Sequence, residues 1–176
     1  MQCVEFKTEL RDPEAARIQC MQLAGAAVAT GEWVETYFRL HDGRLKRRQS
    51  RDEPVEWLFY HRLDRVRPKL CTFTILSDAQ AQLRWGTVGL KPWVTIRKNR
   101  TLWMAGQIRL NIDHIDGLGW FIEFETLVGR RHTVIDAHRS IAALREQFAP
   151  VLGEAVSVSY GELYAQQQGA FPPSAR

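Results

Sequence analysis

The chain has 176 residues, 45% of them hydrophobic and 25% charged, which is enough for about one globular domain and too apolar for a wholly disordered segment. The net charge is only +4, from 24 basic and 20 acidic residues, yet the basic ones cluster in GRLKRR (43–48), HRLDRVRPK (61–69) and IRKNR (96–100), which suits a small polyanion better than a long nucleic acid. No apolar run reaches the ~20 residues of a membrane helix, no secretory-signal core opens the chain, and Cys3, Cys20 and Cys71 form no C-x-x-C pair, which argues against a disulfide framework or a structural zinc site. A cytoplasmic protein with reduced thiols is therefore expected.

In chain order, 2–9 alternates Val4, Phe6 and Thr8 with Cys3, Glu5, Lys7 and Glu9, the period of a strand with two unlike faces. A helix should follow, with Asp12 as N-cap, Pro13 in the first turn and Ala16, Cys20 and Leu23 on one stripe, ending near Gly25. Strands are expected at 36–40 and 44–49, turned by Asp42-Gly43, and then at 56–62 and 69–76. Ser77 and Gln80 make a capping box for a short helix to about Arg84. Strands at 93–103, 107–115 and 119–128 complete a set of eight, with Met104-Ala105-Gly106 and Asp116-Gly117 as turns. Val134, Ala137, Ile141, Leu144 and Phe148 stripe a helix that Pro150 stops, and Ser159 with Glu162 opens a last short one. The reading is one α+β domain over 1–165 and a frayed polar tail at 166–176.

Half-buried strands ordinarily turn charge to solvent, and each strand read alone fits that pattern. Three features pull the other way. Glu123 and Glu125 lie two apart on one face, a spacing at which like charges repel unless they share a cation. Arg44, Lys46 and Arg48 share a face, as do Lys98 and Arg100, and Arg109 with Asn111 and Asp113. An eight-stranded sheet can also close on itself; if the apolar faces lie outward beneath helices, the ionic faces line the interior and call for a polyanion and a divalent ion. Periodicity leaves the solvated-face alternative open.

Six elements in order resemble the CYTH proteins, or triphosphate tunnel metalloenzymes. Glu5-x-Lys7 resembles the second half of E-x-E-x-K; ETYF (35–38) with GRLKRR resembles D-T-Y-F and G-R-L-K-x-R; FYHRLD (59–64) resembles Y-x-R-P-D. IRKNR, IRLNIDHIDGLGWFIEFE (108–125) and SYGEL (159–163) are similar to V-x-K-x-R, I-H-L-D-x-V-x-G-L-G-x-F-x-E-x-E and S-Y-x-D-L. Cys3 stands where the signature has its first Glu, Glu35 where it has Asp, and Asn111 where relatives often have His.

The resemblance implies an eight-stranded antiparallel β-barrel with a charged interior, a triphosphate tunnel, and helices packed outside. It implies Mg²⁺ or Mn²⁺ on Glu5, Asp113, Glu123 and Glu125, and phosphate contacts from Arg44, Lys46, Arg48, Arg62, Lys98, Arg100 and Arg109. Lys7 and Tyr37 would form a water-activating pair. The expected activity is hydrolysis of tripolyphosphate, ATP or thiamine triphosphate by a monomer or homodimer. Cyclisation of ATP to cyclic AMP and pyrophosphate is the alternative, and capture without turnover a further one that Cys3 favours. The strict alternation of Arg44, Lys46 and Arg48 fits a strand rather than a nucleic-acid-binding arm.

Overall fold

The computed structural model of the protein describes residues 1–51, 53–86 and 89–169. Its strands are β1 (Gln2–Leu10), β2 (Ala29–Arg39), β3 (Arg44–Ser50), β4 (Glu56–Arg62), β5 (Lys69–Leu76), β6 (Pro92–Ala105), β7 (Ile108–Ile115), β8 (Gly119–Leu127) and β9 (Leu152–Ala155). The helices are α1 (Pro13–Ala24), α2 (Asp78–Trp85), α3 (Val134–Phe148) and α4 (Tyr160–Gln167). Hydrogen bonding runs in the order β5-β4-β3-β2-β6-β7-β8-β1, and β5 pairs back onto β1, so eight antiparallel strands close a barrel. One edge of β1 carries β8. The other carries β5 over residues 2–5 and the extra strand β9 beyond it.

The apolar core lies outside the barrel wall. Val4 and Phe6 of β1, Leu110 and Ile112 of β7, and Ile122 and Phe124 of β8 point outward onto Ala16 and Cys20 of α1 and Ala137, Ile141, Leu144 and Phe148 of α3. Burying each large side chain of this set stabilises the fold by about 1.5–3 kcal/mol. A second outer cluster, with Phe38, Leu45 and Trp57, lies under Ala81 of α2. Because side chains alternate along a strand, fixing this greasy set outward forces Glu5, Lys7, Lys46, Arg48, Lys98 and Glu123 inward, where all six line one cavity.

The helix boundaries follow from local chemistry. Asp12 accepts from the Ala15 amide at 2.9 Å, Pro13 opens α1 and Gly25 at φ +74° ends it. Capping boxes start α2, α3 and α4 at Ser77, Thr133 and Ser159. α4 seals one end of the barrel, where Tyr160 joins Tyr37, Ile96, Ile115 and Phe121 in an interior plug.

Two elements depart from the sequence expectation. β2 starts at Ala29, not 36, because its first half pairs with β6 from Ala29↔Leu102 onward and takes its order from that partner. Its own alternation of Gly31, Trp33 and Glu35 carries little apolar contrast. β9 was not expected at all: four residues, LGEA, are strand only through their pairing with β1. Of the expected tail, Gln166 and Gln167 belong to α4, and 170–176 lie outside the described residues.

Candidate active site

Strand register assembles the site. Glu5 stands opposite Glu125 on β8 and opposite Lys69 on β5, and Lys7 stands opposite Glu123. Tyr37 faces Lys46, Glu35 faces Arg48, and Asp113 faces Arg100. The cavity measures about 160 Å³. Seven cations (Lys7, Lys46, Arg48, Arg62, Lys98, Arg100, Arg109) line it against three carboxylates (Glu5, Glu123, Glu125). A second cavity of about 100 Å³ shares Arg48, Arg100 and Arg109 with the first and is walled otherwise by Trp33, Leu102 and Asn111.

The deep end is a web of ion pairs. Glu35 is wholly buried and receives Lys98 at 2.9 Å, Lys46 at 3.0 Å and the Tyr37 hydroxyl at 2.7 Å. Burial alone would raise its carboxyl, but the ammonium groups of Lys46 and Lys98 hold it well below the usual range. Asp113 accepts both Nε and Nη2 of Arg100, at 2.7 and 2.6 Å, the planar fork that fixes a guanidinium. Against burial, Arg100 and Lys98 also hold Asp113 low. Arg62 is bonded to Oε1 of Glu5, and Lys7 lies 3.8 Å from Glu123 and 4.0 Å above the Tyr160 ring.

Charge is not balanced everywhere. Burial, then the Glu123 and Glu5 carboxylates, raise the Glu125 carboxyl, and among the described residues Glu125 has no ion-pair partner within 4 Å. Burial lowers the Lys7 ammonium, and burial with neighbouring Arg100 brings Lys98 down to about 8. Nε and Nη2 of Arg62, Nδ2 of Asn111 and the Tyr160 hydroxyl are buried without a hydrogen-bond partner among the described residues. Such groups cost about 1–3 kcal/mol each unless something else meets them. The cavity is therefore short of oxygen acceptors beside its cations, and Glu125 faces Arg109 across the strands without forming an ion pair among the described residues. A divalent ion with oxygen ligands fits the Glu5, Glu123 and Glu125 side of the cavity.

Of the thirteen residues singled out in the sequence, eleven line the cavity; Arg44 and Asp113 do not. Arg44 bonds Asp64 at 2.6 Å and Glu162 of α4 at 3.0 Å, tying the closing helix to the barrel. Asp113 lies behind the lining and braces Arg100. Tyr37 gives its hydroxyl to Glu35, and it is the ring of Tyr160 that packs on Lys7. Glu35, Tyr60, Ser159 and Tyr160 are part of the site and were not singled out as site residues. Following the β2 alternation back from Tyr37 would have found Glu35, which shares its face; Tyr160 enters from α4, and no strand pattern points to it.

The CYTH domain sequence model matches residues 1–156. The chain belongs to the CYTH domain family. Solved structures of similar fold include a conserved hypothetical protein from Pyrococcus furiosus, 18% identical with TM-score 0.70, covering 92% of this chain and 99% of that one. Another, from Vibrio parahaemolyticus and described as a candidate adenylate cyclase, is 17% identical with TM-score 0.69 over 93% and 97% of the two chains. A third, from Hippeastrum, is described as a candidate adenylyl cyclase with a dominant triphosphatase activity; it is 12% identical with TM-score 0.61, and 98% of each chain is covered. No curated protein matches the chain. No helix among the described residues is long and apolar enough to cross a membrane.

Proposed function

We propose that this CYTH protein is a divalent-metal-dependent hydrolase of a triphosphate bound in the barrel cavity. The observation that carries this reading is the convergence of seven cations and three carboxylates on one cavity whose buried donors lack acceptors. A triphosphate supplies oxygens for those donors, and nothing apolar would.

Glu125, Glu123 and Glu5 would hold Mg²⁺ or Mn²⁺, which when bound neutralises charge on the phosphoryl group being transferred. Arg48, Arg62, Arg100, Arg109, Lys46 and Lys98 grip phosphate oxygens, and Asp113 keeps Arg100 in one orientation. Arg44 acts as a latch on α4 rather than as a phosphate contact. Lys7, its ammonium already weakened by burial, positions the attacking water and in its neutral form accepts the water's proton. The oxygen bonds to the terminal phosphorus as the phosphoanhydride breaks, giving phosphate and a diphosphate. Tyr160 fixes Lys7 from α4, and Tyr37 works on Glu35.

Beside these charged groups, Leu58, Phe73, Ile75 and Leu127 give the cavity an apolar part of its lining. That supports an organic triphosphate over bare tripolyphosphate, and it also supports a second reading in which ATP is cyclised to cyclic AMP and pyrophosphate. A panel of tripolyphosphate, ATP, GTP and thiamine triphosphate with Mg²⁺ or Mn²⁺, read for phosphate, pyrophosphate and cyclic nucleotide, separates them. Phosphate release that is fastest from an organic triphosphate is the expected result. Cyclic nucleotide as the main product establishes the second reading, and tight binding without any product makes the protein a capture module.

A further inference from the structure

Cys3 and Cys71 are 68 positions apart in sequence, and strand pairing sets them directly opposite one another on β1 and β5. Both face the barrel cavity together with Glu5. All three are buried, at 2%, 4% and 9% exposure. One ligand atom from each lies within 4.8 Å of the other two, and neither cysteine is in a disulfide.

We propose that Cys3, Cys71 and Glu5 form a thiophilic metal site in the cavity wall, taking a borderline divalent ion of the Zn²⁺ class. Two sulfurs and one carboxylate oxygen are the donor set such an ion prefers, and Mg²⁺ or Mn²⁺ discriminates against sulfur. Three protein ligands leave a fourth position, and the cavity is where it opens. Oε1 of Glu5 is taken by Arg62, and no hydrogen bond among the described residues engages Oε2. The ordinary account of two buried cysteines is apolar packing, here beside Tyr60 and Phe73. Each sulfur–metal bond forms as the thiol releases its proton to solvent, two protons per ion.

The site shares Glu5 with the proposed hydrolytic ion, which Glu123 and Glu125 also hold, and differs from it in its two sulfur ligands. The test reads binding rather than turnover, so its failure leaves the hydrolytic reading where it stands. The full, reduced, metal-free chain is titrated with Co²⁺ under nitrogen. We expect a thiolate-to-cobalt absorption band saturating at one ion per chain, lost in Cys3→Ser and in Cys71→Ser and kept in Cys20→Ala. Absence of the band in the parent protein, or its survival in Cys3→Ser, overturns the proposal. If either serine variant fails to fold, X-ray absorption of the parent chain loaded with Zn²⁺ decides. Sulfur scatterers at about 2.3 Å support the site, and a shell of oxygen and nitrogen alone overturns it.

Discussion

Glu125 carries an electrostatic conflict, a half-buried carboxylate facing Glu5 across the strands and two residues from Glu123. Its raised carboxyl costs nothing at acid pH, where it is protonated folded or unfolded; the penalty sets in as pH rises through the ordinary carboxylate range toward the elevated value. Glu125→Gln should therefore raise the thermal midpoint of metal-free protein at neutral pH and leave it unchanged near pH 4. In the same variant metal-dependent turnover should fall about 10²–10³-fold, the scale for losing one transition-state contact. A melting series and a rate assay check both halves; full activity in Glu125→Gln removes it from the metal site. The lysines give a second residue-scale reading, since the chain has only five. Burial and nearby Arg62 bring Lys69 down to about 8, matching Lys98. Lys69, however, donates to the backbone oxygens of Ser157 and Val156 and lies outside the cavity lining. Carbon NMR of the lysine ε-carbons should show two groups titrating near pH 8, and sulfate, a tetrahedral anion that does not titrate there, should raise Lys98 more than Lys69. Equal response of the two would separate Lys98 from anion binding.

Among the elements, α4 decides whether the barrel is a pocket or an open pipe. Its second residue is Gly161, where a Cβ would stand 2.5 Å from the Tyr37 ring. No ring atom can retreat that far without losing the hydroxyl's bond to Glu35. Gly161→Ala should cost about 1–3 kcal/mol as overpacking and should speed hydrogen exchange in α4 before the barrel strands; uniform exchange would show that α4 and the barrel open as one unit. Elements also show where the sequence was readable. Every helix was marked by a cap, a stripe or both, and the strands with contrasting faces, such as the one holding Phe121 to Glu125, announced both their extent and their two sides. β9 and the first half of β2 are extended because a partner strand holds them, and such pairing over long sequence distance leaves no local trace. The same limit hid Glu35, which reads as an ordinary strand charge until Lys46 and Lys98 arrive from two other strands. It also hid the meeting of Cys3 with Cys71, since spacing rules see only neighbouring cysteines.

At the scale of the whole molecule the usual arrangement is reversed, with oil between barrel and helices and charge at the centre. Stability then comes from the outer layer, and the interior subtracts from it until an anion arrives. Two substitutions separate these contributions. Phe148→Ala removes a fully buried ring of the outer core and should cost about 3–5 kcal/mol, whether or not a polyanion is bound. Added tripolyphosphate should stabilise the parent chain by about 2.7 kcal/mol at a concentration one hundred times its dissociation constant. The same addition should stabilise Phe148→Ala by an equal amount, because the outer layer and the cavity lie on opposite faces of the same strands and share no side chain. Arg100→Ala should lose about 1–3 kcal/mol of anion affinity and also about 3–5 kcal/mol of unliganded stability, since buried Asp113 is left with only Lys98 at 3.7 Å. Denaturant melts of the three proteins with and without tripolyphosphate measure all of these terms. If the ligand increment vanished in Phe148→Ala, the two layers would be coupled through the wall, and the barrel would be a deformable sleeve rather than a rigid partition.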